Sequence, residues 1–254
     1  MRHKITLPKG VKLIAVGDIH EHEEQVDKLL AEVKPGPFVR LVLVGDIYDK
    51  GFGKDVAESI TNKIIPLVES GYAYVIKGNH ELSSIRWARV NKTMTEQLRW
   101  WDKQPLSLTF TFSNRTKVTV VHGGVLPSYT EEDLAYNVDT CYIRLVDKRG
   151  KKVKRLKKII GDRRVMVMER PGKAWHKLYD GRFGYIVSGH ASRKDGIPKF
   201  YDHSCNLDTA VYHTGKLTAQ VFEEGIRKEL LTFVGTPKYP DLLEMERLML
   251  KGRI

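Results

Sequence analysis

An α/β fold with two mixed β-sheets packed as a sandwich and flanked by helices is the architecture this sequence predicts. Three observations point there. Residues 11–77 alternate apolar strand-type runs with amphipathic helical ones. From residue 106 onward short strand-type segments dominate. Several of these runs end in a Gly followed by Asp, Asn or His, as though polar groups were being delivered to one rim.

In order, 11–16 (VKLIAV) reads as a buried strand and 22–33 as an amphipathic helix ending before Pro35-Gly36-Pro37. Residues 38–44 predict a second strand, 53–69 a second helix with Gly71 just past its end, and 72–77 a third strand. This βαβαβ unit forms a parallel sheet with right-handed crossovers and gathers ligands at the carboxyl ends of its strands. A helical stretch over 83–103 follows, then strands at 106–112 and 117–121 leading into His122-Gly123-Gly124, and 185–188 leading into Gly189-His190. Segments 206–211, 216–223 and 227–234 read as a sequential antiparallel meander closing the second sheet. The tail suits a docking helix over 241–250, with Leu242, Met245 and Leu248 on one face. No repeat or linker divides the chain, so residues 1–254 are expected to form one domain with a core of about 11–235.

A hydrophobic content of 41% fits a soluble globular protein. The start lacks a signal peptide's apolar run, and no stretch approaches the roughly 18 apolar residues of a membrane span. Cys141 and Cys205 are too few for a disulfide framework and lack zinc-site spacing. A cytoplasmic protein with no membrane partner is expected. The net charge of +12 favours polyanionic partners. Part of it lies in residues 148–158, which reads either as a patch for nucleic acid or an acidic partner, or as a solvated hairpin turning at Asp147-Lys148-Arg149-Gly150. The 83–103 stretch, with Arg86, Arg89, Lys92, Arg99 and Lys103 beside Trp87, Trp100 and Trp101, reads either as a stacking surface for single strands or as an amphipathic helix with core tryptophans.

Three phrases carry the chemistry: Gly17-Asp18-Ile19-His20, Gly45-Asp46-Ile47-Tyr48-Asp49-Lys50-Gly51 and Gly78-Asn79-His80-Glu81. Delivered by three successive strand ends, they are hard O and N ligands suited to a pair of divalent metals, which mostly serve to hydrolyse phosphate esters. Mixed His and carboxylate ligands suit Mn²⁺ first, with Fe²⁺ or Zn²⁺ as alternatives, better than Ca²⁺.

With HGG at 122–124 and SGH at 188–190 in the same order, the chain resembles the calcineurin-like metallophosphoesterase superfamily. Within it the chain leans toward the phosphoprotein phosphatase branch and its bacterial and phage relatives, including symmetrical diadenosine tetraphosphatase-like enzymes. Tyr179-Asp180-Gly181-Arg182-Phe183-Gly184 and Asn206-Leu207-Asp208-Thr209 add to the likeness, which spans roughly residues 12–220. The resemblance implies that Asp18 and His20 bind one metal, that Asp46 bridges both, and that Asn79, His122 and His190 complete the second. It implies His80 as the acid that protonates the leaving oxygen, oriented by Asp49, and Lys50 and Arg144 as phosphate clamps. Arg163, Arg164 and Arg170 rival Arg144. Glu81 reads as a helix-start acid outside catalysis. Glu21 stands in place of the family's glycine and either tunes the metal, hydrogen-bonds His20 or caps the next helix. Gly51-Phe52-Gly53 is either a lip over the site or a turn.

The implied activity is a dinuclear-metal phosphoesterase using a metal-bridging hydroxide. The first expectation is a serine/threonine-type protein phosphatase of broad specificity. The alternative acts on nucleotides, dinucleoside polyphosphates or nucleic-acid ends. Phosphorylated protein or another phosphomonoester is the expected partner in the first case, nucleotide or nucleic acid held by the basic surface in the second.

Overall fold

A computed structural model describes residues 3–160 and 163–239. One sheet contains the βαβαβ unit: β1 (Lys4–Thr6) belongs to the opposite sheet, while β2 (Lys12–Val16), α1 (Glu23–Val33), β3 (Val39–Leu43), α2 (Lys54–Glu69) and β4 (Ala73–Val75) build this one. Lys12 pairs with Val39 and Leu41 with Ala73 in parallel register, as the alternating pattern predicts.

Period-two alternation splits each strand between two cores. Ile14, Val16, Leu41 and Leu43 face the helices, where Val26, Leu29, Ile60 and Ile64 meet them. Leu13, Ala15, Val42 and Val44 face the second sheet. That sheet runs β1–β5–β6–β11–β13–β12, with β5 (Ser107–Thr111), β6 (Lys117–Val121), β11 (Tyr185–Ser188), β12 (Lys199–Phe200) and β13 (Ser204–Asn206). Phe110, Val118, Val120, Val187 and Cys205 fill the inter-sheet layer. A third core on its outer face gathers Val125, Leu134, Ile143, Trp175 and Ile186, around α5 (Glu131–Tyr136), β7 (Leu145–Val146) and β10 (Lys173–Ala174).

Three expectations are corrected. The late strands are not one meander. β14 (Lys216–Glu223) and β15 (Ile226–Val234) form an antiparallel hairpin that extends the first sheet, β14 pairing with β2. Residues 206–211 do not form a strand: β13 ends at Asn206, where Asn206 Oδ1 accepts from the Asp208 amide and Asp208 Oδ1 from the Ala210 amide. These local bonds and a left-handed Ala210 (φ +52°) replace strand pairing and lead into α6 (Val211–Thr214). The 83–103 stretch is two helices, α3 (Asn79–Val90) and α4 (Glu96–Asp102), broken where Lys92 takes φ +57° and Thr95 caps α4. Trp101 is fully buried and donates its indole N–H to Thr61, Trp100 packs against the core, and Trp87 is exposed.

The basic run starts with the expected turn, the Gly150 amide donating to the Asp147 carbonyl, and continues into a two-stranded ribbon of β8 (Arg155–Ile160) and β9 (Arg163–Met168). The expected helix at 241–250 lies outside the described residues.

Candidate metal centre

Every metal-ligand candidate stands just past a strand end, and the carboxyl ends of both sheets bring them to one rim. Asp18 and His20 follow β2, Asp46 follows β3, Asn79 and His80 open α3 after β4, His122 follows β6 and His190 follows β11. Asp18, His20, Asp46, His122 and His190 are all buried. Close approach explains two glycines: a Cβ on Gly78 would lie 2.1 Å from Asp46 Oδ1, and one on Gly189 1.8 Å from Asp18 Oδ1. The backbone is strained at the same places, with positive φ at His20, Glu21, Asp46, Asp49, Lys50 and His190. Such clustering marks sites where the surroundings over-determine geometry.

Two groups of potential ligands share Asp46: His20, Asp46 and His80, and Asp46, His122 and His190, each with its ligand atoms within 4.8 Å of one another. Asp18 Oδ2 is 3.8 Å from His20 Nε2, and Asn79 Oδ1 is 3.1 Å from His122 Nε2. Second partners fix the imidazoles: His20 Nδ1 faces the Asp49 carbonyl at 2.9 Å and His122 Nδ1 the Val44 carbonyl at 2.8 Å. A ring that donates from Nδ1 turns its Nε2 lone pair inward, as metal-bound histidines do. His122 Nε2 then confronts Asn79 Oδ1 and, at 3.2 Å, Asp46 Oδ2. Acceptors facing acceptors need something positive between them, so the donor set fits cations.

Without a cation, protons respond to the same field. Burial lowers the His122 pKa, but the Asp46 and Asp18 carboxylates outweigh it and raise it to about 9. Burial pushes His20 down to about 4 against the pull of Asp46. Burial, then His122 and Arg144, hold His190 well below the usual imidazole range. Burial and the nearby Asp208 raise the Asp18 pKa.

His80 Nδ1 lies 3.0 Å from Asp49 Oδ2, and its Nε2 faces the cluster 3.8 Å from Asp46 Oδ2. Lys50 Nζ leans over the cluster, 3.5 Å from His20 Nε2 and 5.2 Å from the centre of the Tyr212 ring. Arg144 is half-buried and lines a groove of about 580 Å³ together with Lys50. Arg170 is engaged elsewhere, donating to Asp147 Oδ2 at 2.7 Å and the Lys152 carbonyl at 2.9 Å. The Arg163 and Arg164 side chains lie outside the described residues.

Two glutamates do more than the sequence suggested. Glu81 is fully buried and accepts from the amides of Asp46, Ile47, Tyr48 and Gly78 at 2.6–3.2 Å. Glu21 neither caps α1 nor bonds His20; it accepts from the amides of Asp49, Gly51 and Gly53. The amides of Gly51 and Gly53 in the 51–53 segment are thus held by the Glu21 carboxylate. Sequence reading also missed the groove residues Lys199, Tyr201 and Tyr212, which carry no motif, while Arg155 in the groove belongs to the basic run 148–158.

The calcineurin-like phosphoesterase family model matches residues 11–192, and the chain belongs to that family. It is therefore a metallophosphoesterase, a hydrolase of phosphoesters from a family that works with two metal ions. The chain is 27% identical over 238 aligned residues to the asymmetrical bis(5'-nucleosyl)-tetraphosphatase PrpE of Oceanobacillus iheyensis, covering 84% of this chain and 90% of that protein. Its fold is similar to a structure described as a putative diadenosine tetraphosphatase, with TM-score 0.66, 22% identity, and 92% and 98% of the two chains covered. A protein serine/threonine phosphatase of Saccharomyces cerevisiae shares the fold with TM-score 0.56 and 15% identity, over 92% of this chain and 83% of that one.

Proposed function

We propose that this chain, acting as a single catalytic domain, hydrolyses nucleotide-type polyphosphates, dinucleoside polyphosphates foremost. One observation carries the reading: the groove beside the cluster is lined by Lys50, Arg144, Arg155 and Lys199, and none of them forms an ion pair with a carboxylate among the described residues. A fifth groove cation, Arg193, does pair with a carboxylate, that of Asp195, as Lys4 does with Glu131 and Lys12 with Glu223 away from the groove. Four uncompensated cations exceed what one phosphate requires and match a chain of them. The groove also holds an aromatic stack, Tyr201 lying 4.3 Å from His176 at 3° and His176 lying 3.8 Å from Trp175. Flat rings beside cations suit a nucleobase. The relation to a bis(5'-nucleosyl)-tetraphosphatase supports the same reading. The phosphoserine and phosphothreonine reading shares the chemistry but engages only the Lys50 and Arg144 end.

Asp18, His20 and Asp46 would hold one divalent ion, and Asp46, Asn79, His122 and His190 the second. Mn²⁺ is the proposed native ion. When bound, the pair supplies Lewis acidity toward the phosphoryl oxygens and an activated water. The protein's own groups do the rest. Lys50 and Arg144 orient and neutralise the phosphoryl oxygens, Lys50 as a point charge and Arg144 as a planar fork. Asp49 fixes the His80 tautomer with Nδ1 protonated. On the side facing the cluster, His80 Nε2 delivers a proton to the leaving oxygen.

The test compares kcat/KM of Mn²⁺-loaded protein on a dinucleoside tetraphosphate and on a phosphoserine peptide. A preference of about tenfold or more, on the order of 1.4 kcal/mol, for the dinucleotide is expected. Equal or better use of the phosphopeptide would refute the reading.

A further inference from the structure

Glu21 occupies the position after His20 and turns its carboxylate away from the cluster. Oε1 accepts from the Asp49 amide at 2.8 Å, and Oε2 from the Gly51 and Gly53 amides at 3.0 and 2.8 Å. Those amides belong to a strained loop, with φ of +71° at Asp49, +68° at Lys50 and +117° at Gly53. The loop is pressed onto the first motif so closely that a Cβ on Gly51 would lie 1.9 Å from the His20 carbonyl oxygen. Glu81 secures the preceding amides, from Asp46 to Tyr48. In the next stretch the amides of Asp49, Gly51 and Gly53 fall to Glu21, beside the bond from His20 Nδ1 to the Asp49 carbonyl and the local bond from the Lys50 amide to Asp49 Oδ1.

The Asp49 carboxyl is 70% exposed, so packing does not hold it against His80. Its aim depends on where its backbone is fixed. Charge-assisted bonds from backbone N–H groups to a buried carboxylate are among the stronger hydrogen bonds, and the three at Glu21 hold a loop whose Asp49, Lys50 and Gly53 take positive φ.

We propose that Glu21 is the positioning residue for proton donation: by pinning the amides of Asp49, Gly51 and Gly53 it aims the Asp49 carboxylate at His80 and so governs protonation of the leaving group. The inference rests on His80 being the acid. As water oxygen bonds to phosphorus, the bond from phosphorus to the leaving oxygen breaks. Its electron pair stays on that oxygen, which takes the proton from His80 Nε2, and solvent returns a proton to the ring. A leaving group stable as an anion, such as p-nitrophenolate, departs without that proton; an alkoxide needs it. Loss of aim therefore shows as leaving-group sensitivity, which a general loss of folding or of metal would not produce.

The experiment measures kcat on an alkyl phosphate and on p-nitrophenyl phosphate for Mn²⁺-loaded wild type, Glu21→Ala, Glu21→Gln and Asp49→Asn, with bound metal quantified and amide hydrogen exchange followed. Glu21→Ala is expected to lose about 10- to 100-fold on the alkyl phosphate and roughly threefold or less on p-nitrophenyl phosphate. Exchange at Asp49, Gly51 and Gly53 should quicken by about tenfold. Glu21→Gln preserves volume and should fall between, which guards against misfolding of the alanine variant. Adding Glu21→Ala to Asp49→Asn should bring no further leaving-group sensitivity. Equal losses on both substrates, or unchanged exchange at the three amides, would overturn the role of Glu21 if Asp49→Asn still shows the sensitivity. A flat response from Asp49→Asn would instead remove the acid assignment, and the inference with it.

Discussion

The cradle presents its ligands from strand ends, whereas the groove beside it takes its cations one at a time from separate segments. In the cradle, backbone bonds are buried and redundant: Glu81 holds the Asp46 turn and the Asp18 carboxylate accepts from the His190 amide at 3.0 Å. In the groove, Lys50 comes from a loop, Arg144 from the segment before β7, Arg155 from the β8–β9 ribbon and Lys199 from the short strand β12. The difference teaches that the sheet frame fixes the ligand cluster, while the groove to which we assign substrate choice is built from side chains on separate segments.

The comparison can be broken most severely at Asp46, the residue both ligand groups share. Asp46→Asn should reduce turnover to background on every substrate and lower bound metal, read by kinetics and metal analysis together. Retained metal with full activity would dissolve the idea of a shared bridge. Next in size, His80→Asn should slow turnover of an alkyl phosphate by roughly 10²–10⁴ while leaving metal bound. A matching loss of metal would make His80 a ligand instead.

A third effect probes the groove's aromatic wall. His176 is packed between Trp175 and Tyr201, and burial, aided by Lys199, lowers its pKa from 6.5 to about 3. Between those values the unfolded chain binds a proton that the folded chain does not, so stability falls as pH drops through this window and is insensitive to His176 above it. Chemical denaturation at stepped pH should show a shallower decline in His176→Phe than in wild type, the difference being on the order of 3 kcal/mol, while the decline owed to His20 and His190 remains. The smallest effects belong to the outer cations. Arg155→Ala and Lys199→Ala should each raise KM for a dinucleoside tetraphosphate about five- to tenfold, on the order of 1 kcal/mol, with kcat nearly constant. Equal increases on p-nitrophenyl phosphate would mean that the groove does not extend the substrate site.

The same contrast explains what could be read in advance. Asp18, His20, Asp46, Asn79, His122 and His190 were legible because each stands in a short Gly-containing phrase after an apolar run, with its place as a ligand implied by the family resemblance, and the structure brings all six together. β6 and β11 kept the bounds their residues suggested. The groove was legible only in part: Lys50 and Arg144 were expected as clamps and Arg155 lies in the basic run 148–158, but Lys199 is an isolated cation, and that these four line one groove comes from tertiary placement alone. Glu21 looked like a departure from pattern, and only the position of three amides from the next motif shows what it holds. The β14–β15 hairpin was assigned to the wrong sheet because alternation gives a strand's faces but not its neighbour. Residues 206–211 looked extended by composition, but Asn206 and Asp208 side chains bonded the local backbone and ended the strand.

The central claim is that the rim cluster is a two-metal hydrolytic centre. The most direct test titrates chelator-stripped protein with Mn²⁺ while bound metal and p-nitrophenyl phosphate hydrolysis are followed together. The account predicts no turnover in the stripped protein and recovery that tracks occupancy toward two ions per chain, as a dinuclear mechanism requires. Full turnover without metal, or saturation of activity in a variant whose cluster binds none, would contradict it.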